Sequence, residues 1–237
     1  NQLSATQLNA DNIWAANGSN EIIQSLFLAF GSGSAIGFTP SYSMHPLIAK
    51  VTGVEWINGA RNEDFSLDIN SAINQIQRER PVLTFITTPN NPTGSAITIS
   101  ELEQLAKSTS GLLVVDEAYA EFSGEASAVT LIEKYPHVVV IRTMSKAFAF
   151  AGARLGYLVA TLRKNRDELS VALTAMGLTV IPSAANFLLF TGFNMTSAEL
   201  WKALLNRGVL IRDVGLLGYL RVTIGNEAEN KKFLESL

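Results

Sequence analysis

The sequence predicts an α/β protein, with a large domain built on a mostly parallel sheet between helices and a smaller α+β C-terminal domain. Apolar runs with strand character alternate with helix-like stretches; these runs are AIGF, VEWI, VLTFITT, LLVVDEA and VVVIRT. Runs that are apolar throughout are typical of strands buried on both faces of a parallel sheet. After LGYLVA a charged helix is followed by short strands and helices. We therefore expect a large domain over residues 1–160 and a small domain over residues 161–237.

The helices are predicted from apolar residues that recur with helical spacing. NEIIQSLFLAF is one such stretch, for which Ser19 is the expected N-cap. In ISELEQLAKS, Ser100 and Glu103 have the spacing of a capping box. The C-terminal part should contain the helices LRKNRDELSVALTAMG and SAELWKALLNRG and a terminal helix, with strands at LTVIP, ANFLLF, VLIR and YLRVTI.

Composition excludes several classes of protein. Apolar residues make up 47% of the 237 residues, but no uninterrupted run reaches the roughly 18 residues that indicate a membrane span. The net charge is -3 and the basic residues are dispersed, which argues against a nucleic-acid partner. The sequence has no cysteine, and its two histidines, His45 and His137, are isolated, so we expect no metal site and place both histidines at the surface or in loops. No secretory signal is visible at residues 1–14, which favours the cytoplasm.

Two glycine-containing stretches are candidate anion sites. GSGSAIG, residues 31–37, has the wrong context for a dinucleotide loop, because a helix precedes it and a strand follows it. We interpret it as a connecting turn. NGSNE, residues 17–21, is a better candidate, since the backbone N–H groups of Ser19 and Asn20 open a helix.

Polar residues follow two of the predicted strands. PNNPTG, residues 89–94, comes after VLTFITT and offers side-chain amides, although a structural turn would have the same sequence. Asp116 and Glu117 end the apolar run LLVV, and Tyr119 lies just beyond them. A carboxylate at a buried strand end is costly unless it meets a cation or a donor. It predicts either a ligand contact or an ion pair with a structural arginine.

The segment TMSKAFAFAGARLGY, residues 143–157, follows the next strand and contains a single lysine, Lys146. A neutral lysine amine attacks carbonyl groups. Thr143, Ser145 and Arg154 could bind a phosphate, because hydroxyls and a planar guanidinium present suitable donors. Together these stretches supply the groups that pyridoxal phosphate requires, namely a lysine, a carboxylate, a phenol, an amide and donors for a phosphate.

In their order, the motifs NGSNE, PSY, PNNPTG, DEAYAEF, TMSKAFAFAGARLGY and GYLRVTIG resemble those of the fold-type I, class I/II aminotransferases. Within that family they are most similar to the histidinol-phosphate aminotransferases. The resemblance covers most of the chain. It implies a fold-type I transferase with a mostly parallel, seven-stranded type of sheet.

The resemblance also implies a role for each matching residue. Lys146 would form the Schiff base with the cofactor and move the substrate's α proton. The other cofactor contacts would be made by Asp116 to the ring nitrogen, Tyr119 and Asn91 to the ring oxygen, Tyr42 to the ring face, and Ser19, Asn20, Thr143, Ser145 and Arg154 to the phosphate. Arg221 would bind the substrate carboxylate and Arg212 its phosphate.

The activity implied is transfer of an amino group from histidinol phosphate to 2-oxoglutarate, giving imidazole-acetol phosphate and glutamate, in a homodimer with shared active sites. Three alternatives remain open. They are an aromatic amino-acid aminotransferase, a lyase similar to threonine-phosphate decarboxylase, and a non-enzymatic cofactor-binding domain. The last is disfavoured because the lysine, aspartate, tyrosine and both arginines are all present.

The chain also departs from the family pattern. It lacks the N-terminal arm with an NENP-like motif and a tyrosine, and a long helical segment between LGYLVA and LRKNRDEL. The stretches FGSGSAIGF and IRDVGLLGYLR are short as well. We therefore expect that the sequence omits disordered segments of a longer protein.

Overall fold

A computed structural model describes residues 8, 12–14, 16, 18–143, 146, 155–225 and 227–237, with the backbone alone for 155–164. Its larger sheet has five strands, all parallel. They are β1 (Ala35–Thr39), β2 (Trp56–Ala60), β3 (Leu83–Thr87), β4 (Leu112–Asp116) and β5 (Val138–Ile141), in the order β2-β1-β3-β4-β5. The family resemblance implies about seven strands, and the described residues contribute these five.

Helices cover both faces of this sheet. On one face lie α1 (Ser19–Phe30) and α2 (Met44–Thr52), and on the other lie α3 (Ile69–Glu79) and α4 (Ile99–Ser108). Neighbouring residues of a strand point to opposite faces, so Phe85 packs with α1 and α2 whereas Ile86 packs with α3 and α4. Burial on both faces explains why the strands read as continuous apolar runs.

A second, antiparallel sheet follows, with the order β6-β7-β8. Its strands are β6 (Thr179–Ile181), β7 (Phe187–Thr191) and β8 (Leu220–Thr223), and its helices are α5 (Leu155–Ala175), α6 (Ser197–Asn206) and α7 (Glu227–Ser236). Side chains from these elements form a separate core around Phe190 and Leu204. VLIR does not form the expected strand, because only Arg212 pairs, in an isolated bridge to Arg221. Helix α5 crosses residue 160, the predicted domain boundary, which stays a prediction.

Two predicted helix caps are wrong. Gly18, at φ 84°, is the N-cap of α1, and Ser19 is already its first residue. In α4 the capping box is formed by Thr98 and Glu101, two residues before the predicted pair. Glu103 instead contacts Lys134. Several polar residues near each helix start could act as the N-cap, and the backbone conformation before the helix determines which of them does.

The carboxyl ends of the five parallel strands meet at one edge of the sheet. Strand β1 lies between β2 and β3. The connection after β1 leads to β2 on one side of β1, and the connection after β2 leads to β3 on the other side. Ligands of open α/β sheets bind at such a switch point, outside the carboxyl ends of the strands. The predicted α/β class and parallel sheet are confirmed. None of the described helices has the length and apolar character needed to cross a membrane.

Candidate active site

A cavity of about 200 Å³ lies at the carboxyl edge of the parallel sheet, where the switch point places it. It brings together residues from α1, from the segments after β1, β3, β4 and β5, and Lys146. The lining residues are Gly18, Ser19, Asn20, Tyr42, Thr87, Asn91, Asp116, Ala118, Tyr119, Thr143 and Lys146. Most of the predicted cofactor residues therefore surround one space. Ser145 and Arg154 lie outside the described residues.

The N-terminus of α1 forms one wall of the cavity. The N-cap residue Gly18 has no side chain that could accept from the first N–H groups of this helix, such as those of Ser19 and Asn20. Gly18 at φ 84° turns the backbone into the helix at the cavity wall. The Tyr42 hydroxyl donates to Asn20 Oδ1 at 3.1 Å, which links the wall to the segment after β1. Uncapped amides and the helix dipole favour an anion at this end.

Asp116 ends β4 and is only 2% exposed. Its Oδ2 atom lies 3.1 Å from His45 Nε2, and its Oδ1 atom accepts from the backbone N–H of Ala118 at 3.1 Å. His45 is equally buried and packs on Phe85, with ring centroids 4.7 Å apart. The prediction that His45 lies at the surface or in a loop is wrong, because it faces inward from α2. A carboxylate has about four acceptor positions, so Asp116 retains acceptor capacity towards the cavity.

Glu117 follows Asp116 but does not line the cavity. It forms an ion pair with Arg142, and both of its carboxylate oxygens accept hydrogen bonds. Its Oε2 atom accepts from Arg142 Nε at 3.0 Å, from Arg142 Nη2 at 2.9 Å and from Ser127 Oγ at 2.7 Å. The Oε1 atom accepts from the N–H of Ala128 at 2.6 Å. The ion pair with a structural arginine, considered for a carboxylate at this strand end, is therefore formed by Glu117.

Tyr119 and Lys146 face each other across the cavity. The Lys146 Nζ atom lies 5.6 Å from the centre of the Tyr119 ring. Burial raises the pKa of Tyr119, and the nearby positive charge of Arg221 offsets only part of that rise. The phenol therefore stays protonated at neutral pH, and its O–H remains a hydrogen-bond donor.

Arg221, on β8 of the second sheet, contacts Asn91, one of the residues that line the cavity. Its Nη1 atom donates to Asn91 Oδ1 at 2.6 Å, and its guanidinium lies 4.5 Å from the centre of the Phe187 ring. Its Nε atom is buried without a hydrogen-bond partner. Burial lowers the pKa of Arg221, and the positive charge of Arg212 adds to that effect. No carboxylate in the described part of the chain lies within ion-pair distance of Arg212 or Arg221.

Some residues of the site were not predicted. Thr87 and Ala118 line the cavity, and His45 contacts Asp116 behind it. The spacing of His45, Ile48 and Ala49, which form the buried face of α2, is the signal in the sequence that could have placed His45 inside. Among the described residues no cluster of three or more His, Cys, Asp or Glu side chains is arranged to hold a metal ion.

The arrangement combines four groups with distinct chemistry. The start of α1 favours an anion, Asp116 offers a buried carboxylate, Lys146 offers an amine, and Arg221 with Arg212 offers positive charge. Such a site accepts a ligand with at least two anionic groups and a carbonyl or amine between them.

Comparison with known proteins identifies the family to which this chain is similar. The model of the family Aminotransferase class I and II matches residues 2–163 and 158–237. A histidinol-phosphate aminotransferase from Mycobacterium ulcerans is 47% identical, over 98% of this chain and 72% of the relative. The crystal structure of the histidinol-phosphate aminotransferase from Clostridium acetobutylicum has a TM-score of 0.85 at 25% identity, over 93% of this chain and 81% of that one. The structure from Sinorhizobium meliloti, in complex with pyridoxal-5'-phosphate, has a TM-score of 0.76 at 21% identity, over 91% and 72%.

The match also shows that this chain is shorter than its relative. The alignment with the M. ulcerans relative spans 276 residues, 39 more than the 237 residues of the whole chain, so the relative has at least 39 residues without a counterpart here. The two segments matched by the family meet at 158–163, within α5, where the sequence lacks the expected helical connection. With both segments and nearly the whole chain matched, the protein belongs to the class I and II aminotransferases.

Proposed function

We propose that the protein transfers the amino group of histidinol phosphate to 2-oxoglutarate, with pyridoxal phosphate as its cofactor. One observation carries the choice of substrate. Arg212 and Arg221 are paired on adjacent backbone segments, Arg221 binds the lining residue Asn91 of the cavity, and neither arginine has a carboxylate partner among the described residues. A donor with a phosphate and an acceptor with two carboxylates would both supply the missing negative charge. The names of the curated relatives, at 44–48% identity, support the same substrate.

The residues at the cavity fit pyridoxal phosphate. A buried carboxylate beside a histidine suits a protonated ring nitrogen, and the uncapped start of α1 suits a phosphate. When bound, the cofactor supplies an aldehyde that takes the amino group and a ring that accepts electron density from the substrate. The residues proposed to hold it are Ser19, Asn20, Tyr42, Asn91, Asp116, Tyr119, Thr143 and Lys146, together with Ser145 and Arg154.

The proposed roles are those that the family resemblance implies, and the positions of the side chains are compatible with them. Lys146 would hold the cofactor through its amine, and the same amine would act as the base for the proton on the substrate's α carbon. Asp116 would favour a protonated ring nitrogen, and Tyr119 would offer its O–H to the ring oxygen. By the family resemblance, Arg221 is proposed to bind the α-carboxylate of 2-oxoglutarate or glutamate, and Arg212 the phosphate of histidinol phosphate.

Covalent binding is tested by spectroscopy. We expect the purified protein, reconstituted with pyridoxal phosphate, to show the visible absorbance of a lysine-bound cofactor. Lys146→Ala should abolish that absorbance, whereas Lys134→Ala should keep it, because Lys134 lies on the surface beside Glu103. Absence of bound cofactor in the reconstituted protein would overturn the proposal.

The substrate is tested by a coupled assay with 2-oxoglutarate. Histidinol phosphate should be a far better donor than phenylalanine or tyrosine, and threonine phosphate should not lose carbon dioxide. Arg212→Ala should weaken the use of histidinol phosphate and have little effect on phenylalanine. Equal use of histidinol phosphate and phenylalanine would replace this proposal with an aromatic aminotransferase.

A cytoplasmic homodimer with shared active sites is also part of the proposal. Leu47 and Val51 lie four residues apart on α2 and are 51% and 81% exposed, and Leu28 on the adjacent helix α1 is 69% exposed. Such a surface suits a second copy of the chain. Light scattering should give twice the monomer mass, and Val51→Glu should shift it towards the monomer. A wild-type monomer would contradict this part of the proposal.

A further inference from the structure

Phe65, in the segment after β2, has an unusual backbone conformation. Its φ is 65°, in the left-handed region that residues with a side chain rarely adopt. Its N–H donates to the carbonyl of Asn62 at 2.9 Å. Its carbonyl accepts from Arg61 Nη1 at 3.2 Å and from Ser95 Oγ at 3.4 Å. Backbone strain of this kind persists where the surroundings hold it, and it concentrates at functional sites.

The half-buried, positively charged side chain of Arg61 holds this conformation. Besides Phe65, it binds the carbonyl of Phe38 through Nε at 3.2 Å. No carboxylate among the described residues lies within ion-pair distance of it. Burial lowers the pKa of Arg61 to about 10, so it remains charged at neutral pH. A charged donor makes the stronger class of hydrogen bond, which fixes the carbonyl of Phe65 and thereby the direction of its ring.

The Phe65 ring packs against the second sheet. It contacts the Tyr219 ring edge to face, with centroids 5.3 Å apart and planes at 76°. Tyr219 belongs to the turn at 213–220, which Arg212 and Arg221 close through two backbone hydrogen bonds of 2.9 Å. The tip of this turn is exposed, since the side chain of Leu217 is fully accessible to solvent. The contact with Phe65 therefore ties the turn to the five-stranded sheet.

The two arginines depend on this contact to different degrees. Arg221 has its own tethers, the hydrogen bond to Asn91 and the contact with Phe187. Arg212 makes no side-chain hydrogen bond or ion pair within the described chain, so only its backbone fixes its position. Displacement of the turn would move Arg212 more than Arg221.

We propose that Phe65 is a positioning residue that places Arg212 for the phosphate of the substrate, by packing on Tyr219. This inference rests on the proposed function, because that function assigns the phosphate to Arg212. It makes the strained segment after β2 a determinant of specificity for phosphorylated donors, although it contributes no group to the reaction.

The test is a kinetic comparison of Phe65→Ala with the wild type, using histidinol phosphate and unphosphorylated histidinol as donors. We expect KM for histidinol phosphate to rise about tenfold, with kcat and the constants for histidinol nearly unchanged. Phe65→Tyr keeps the ring and should restore KM. Phe193→Ala is the matched control, since it removes a phenylalanine from an edge-to-face contact with Phe190 and leaves the contact between Phe65 and Tyr219 in place. Equal losses for both donors, or none, would overturn the inference.

Hydrogen exchange separates this inference from the proposed function. The amides of Gly215 and Tyr219 bond within the turn, to Asp213 Oδ1 and to the carbonyl of Leu216. Phe65→Ala should speed their exchange and leave the amides of β7 unchanged. If the wild type rejects histidinol phosphate but the turn loosens in the variant, the substrate assignment fails while the positioning contact stands. Unchanged exchange in the turn would refute the positioning role whatever the substrate.

Discussion

Asp116 and Glu117 are adjacent carboxylates of nearly equal burial, 2% and 3% exposed, yet their surroundings differ. Glu117 accepts four hydrogen bonds, two of them from the partly exposed cation Arg142. Asp116 has one backbone donor and His45, and it lines the cavity. A buried carboxylate with complete partners stabilises the fold, whereas one with remaining acceptor capacity beside a cavity is available to a ligand.

The largest expected effect is the loss of activity in Asp116→Asn. The amide cannot carry the charge that holds a proton on the cofactor ring, so kcat/KM should fall about thousandfold, or about 4 kcal/mol. The free energy of unfolding, from urea titration, should change by no more than about 1 kcal/mol, because asparagine can keep hydrogen bonds of this type. Activity close to that of the wild type would contradict the role of Asp116.

The opposite behaviour is expected of Glu117→Ala. Removing this carboxylate leaves Arg142 without its main partner, and because Arg142 is 37% exposed the loss of stability should stay below the roughly 3 to 5 kcal/mol of a fully buried pair, at about 2 kcal/mol. The same urea titration measures it. The double variant Glu117→Ala, Arg142→Met should be less destabilised than the single variant, because it also removes the cation that lost its main partner, although Glu121 then loses its contact with Arg142. The folded fraction should retain most of the activity. A loss of activity as large as that of Asp116→Asn would contradict a purely structural role of Glu117.

A smaller effect is expected of His45→Phe, which keeps the aromatic contact with Phe85 but removes the hydrogen bond to Asp116. Stability should fall by about 1 to 3 kcal/mol, the cost of an unsatisfied buried group. Activity should fall about tenfold, near the 1.4 kcal/mol that one hydrogen bond accounts for. Steady-state kinetics and urea titration check both. An activity loss equal to that of Asp116→Asn would mean that His45 does more than orient the carboxylate.

The smallest effect concerns Glu103, a surface carboxylate. The hydrogen bond from Lys134, with one from Tyr135, lowers the pKa of Glu103 to about 2, against 4.5 for an ordinary glutamate. Because the pKa of Glu103 is lower in the folded state, the ionised carboxylate stabilises the fold. This contribution is complete above about pH 4.5 and is lost as the pH falls towards about 2. NMR titration should find the lowered pKa, and Lys134→Ala should raise it. An unchanged pKa in that variant would show that the pair does not form in solution.

The sequence predicts the fold well because its strongest signals are local. Continuous apolar runs indicate buried parallel strands, and polar residues at strand ends indicate where ligands bind. The role of His45 was missed because its contact with Asp116 joins residues 71 positions apart. The same holds for Arg221 and Asn91, which are 130 positions apart. No local pattern could show that Glu117, rather than Asp116, takes the structural arginine, because one residue along a strand reverses the side chain's direction.

The bridge between Arg212 and Arg221 links the stability of the fold to the supply of substrate. Two guanidiniums held close together repel each other, and part of the lowered pKa of Arg221 reflects this repulsion. An anion that binds both relieves it, and binding to the folded state alone adds about 2.7 kcal/mol at a ligand concentration of 100 Kd. Under the proposed function, histidinol phosphate and 2-oxoglutarate would each stabilise the folded protein, and its resistance to unfolding would rise with their concentration.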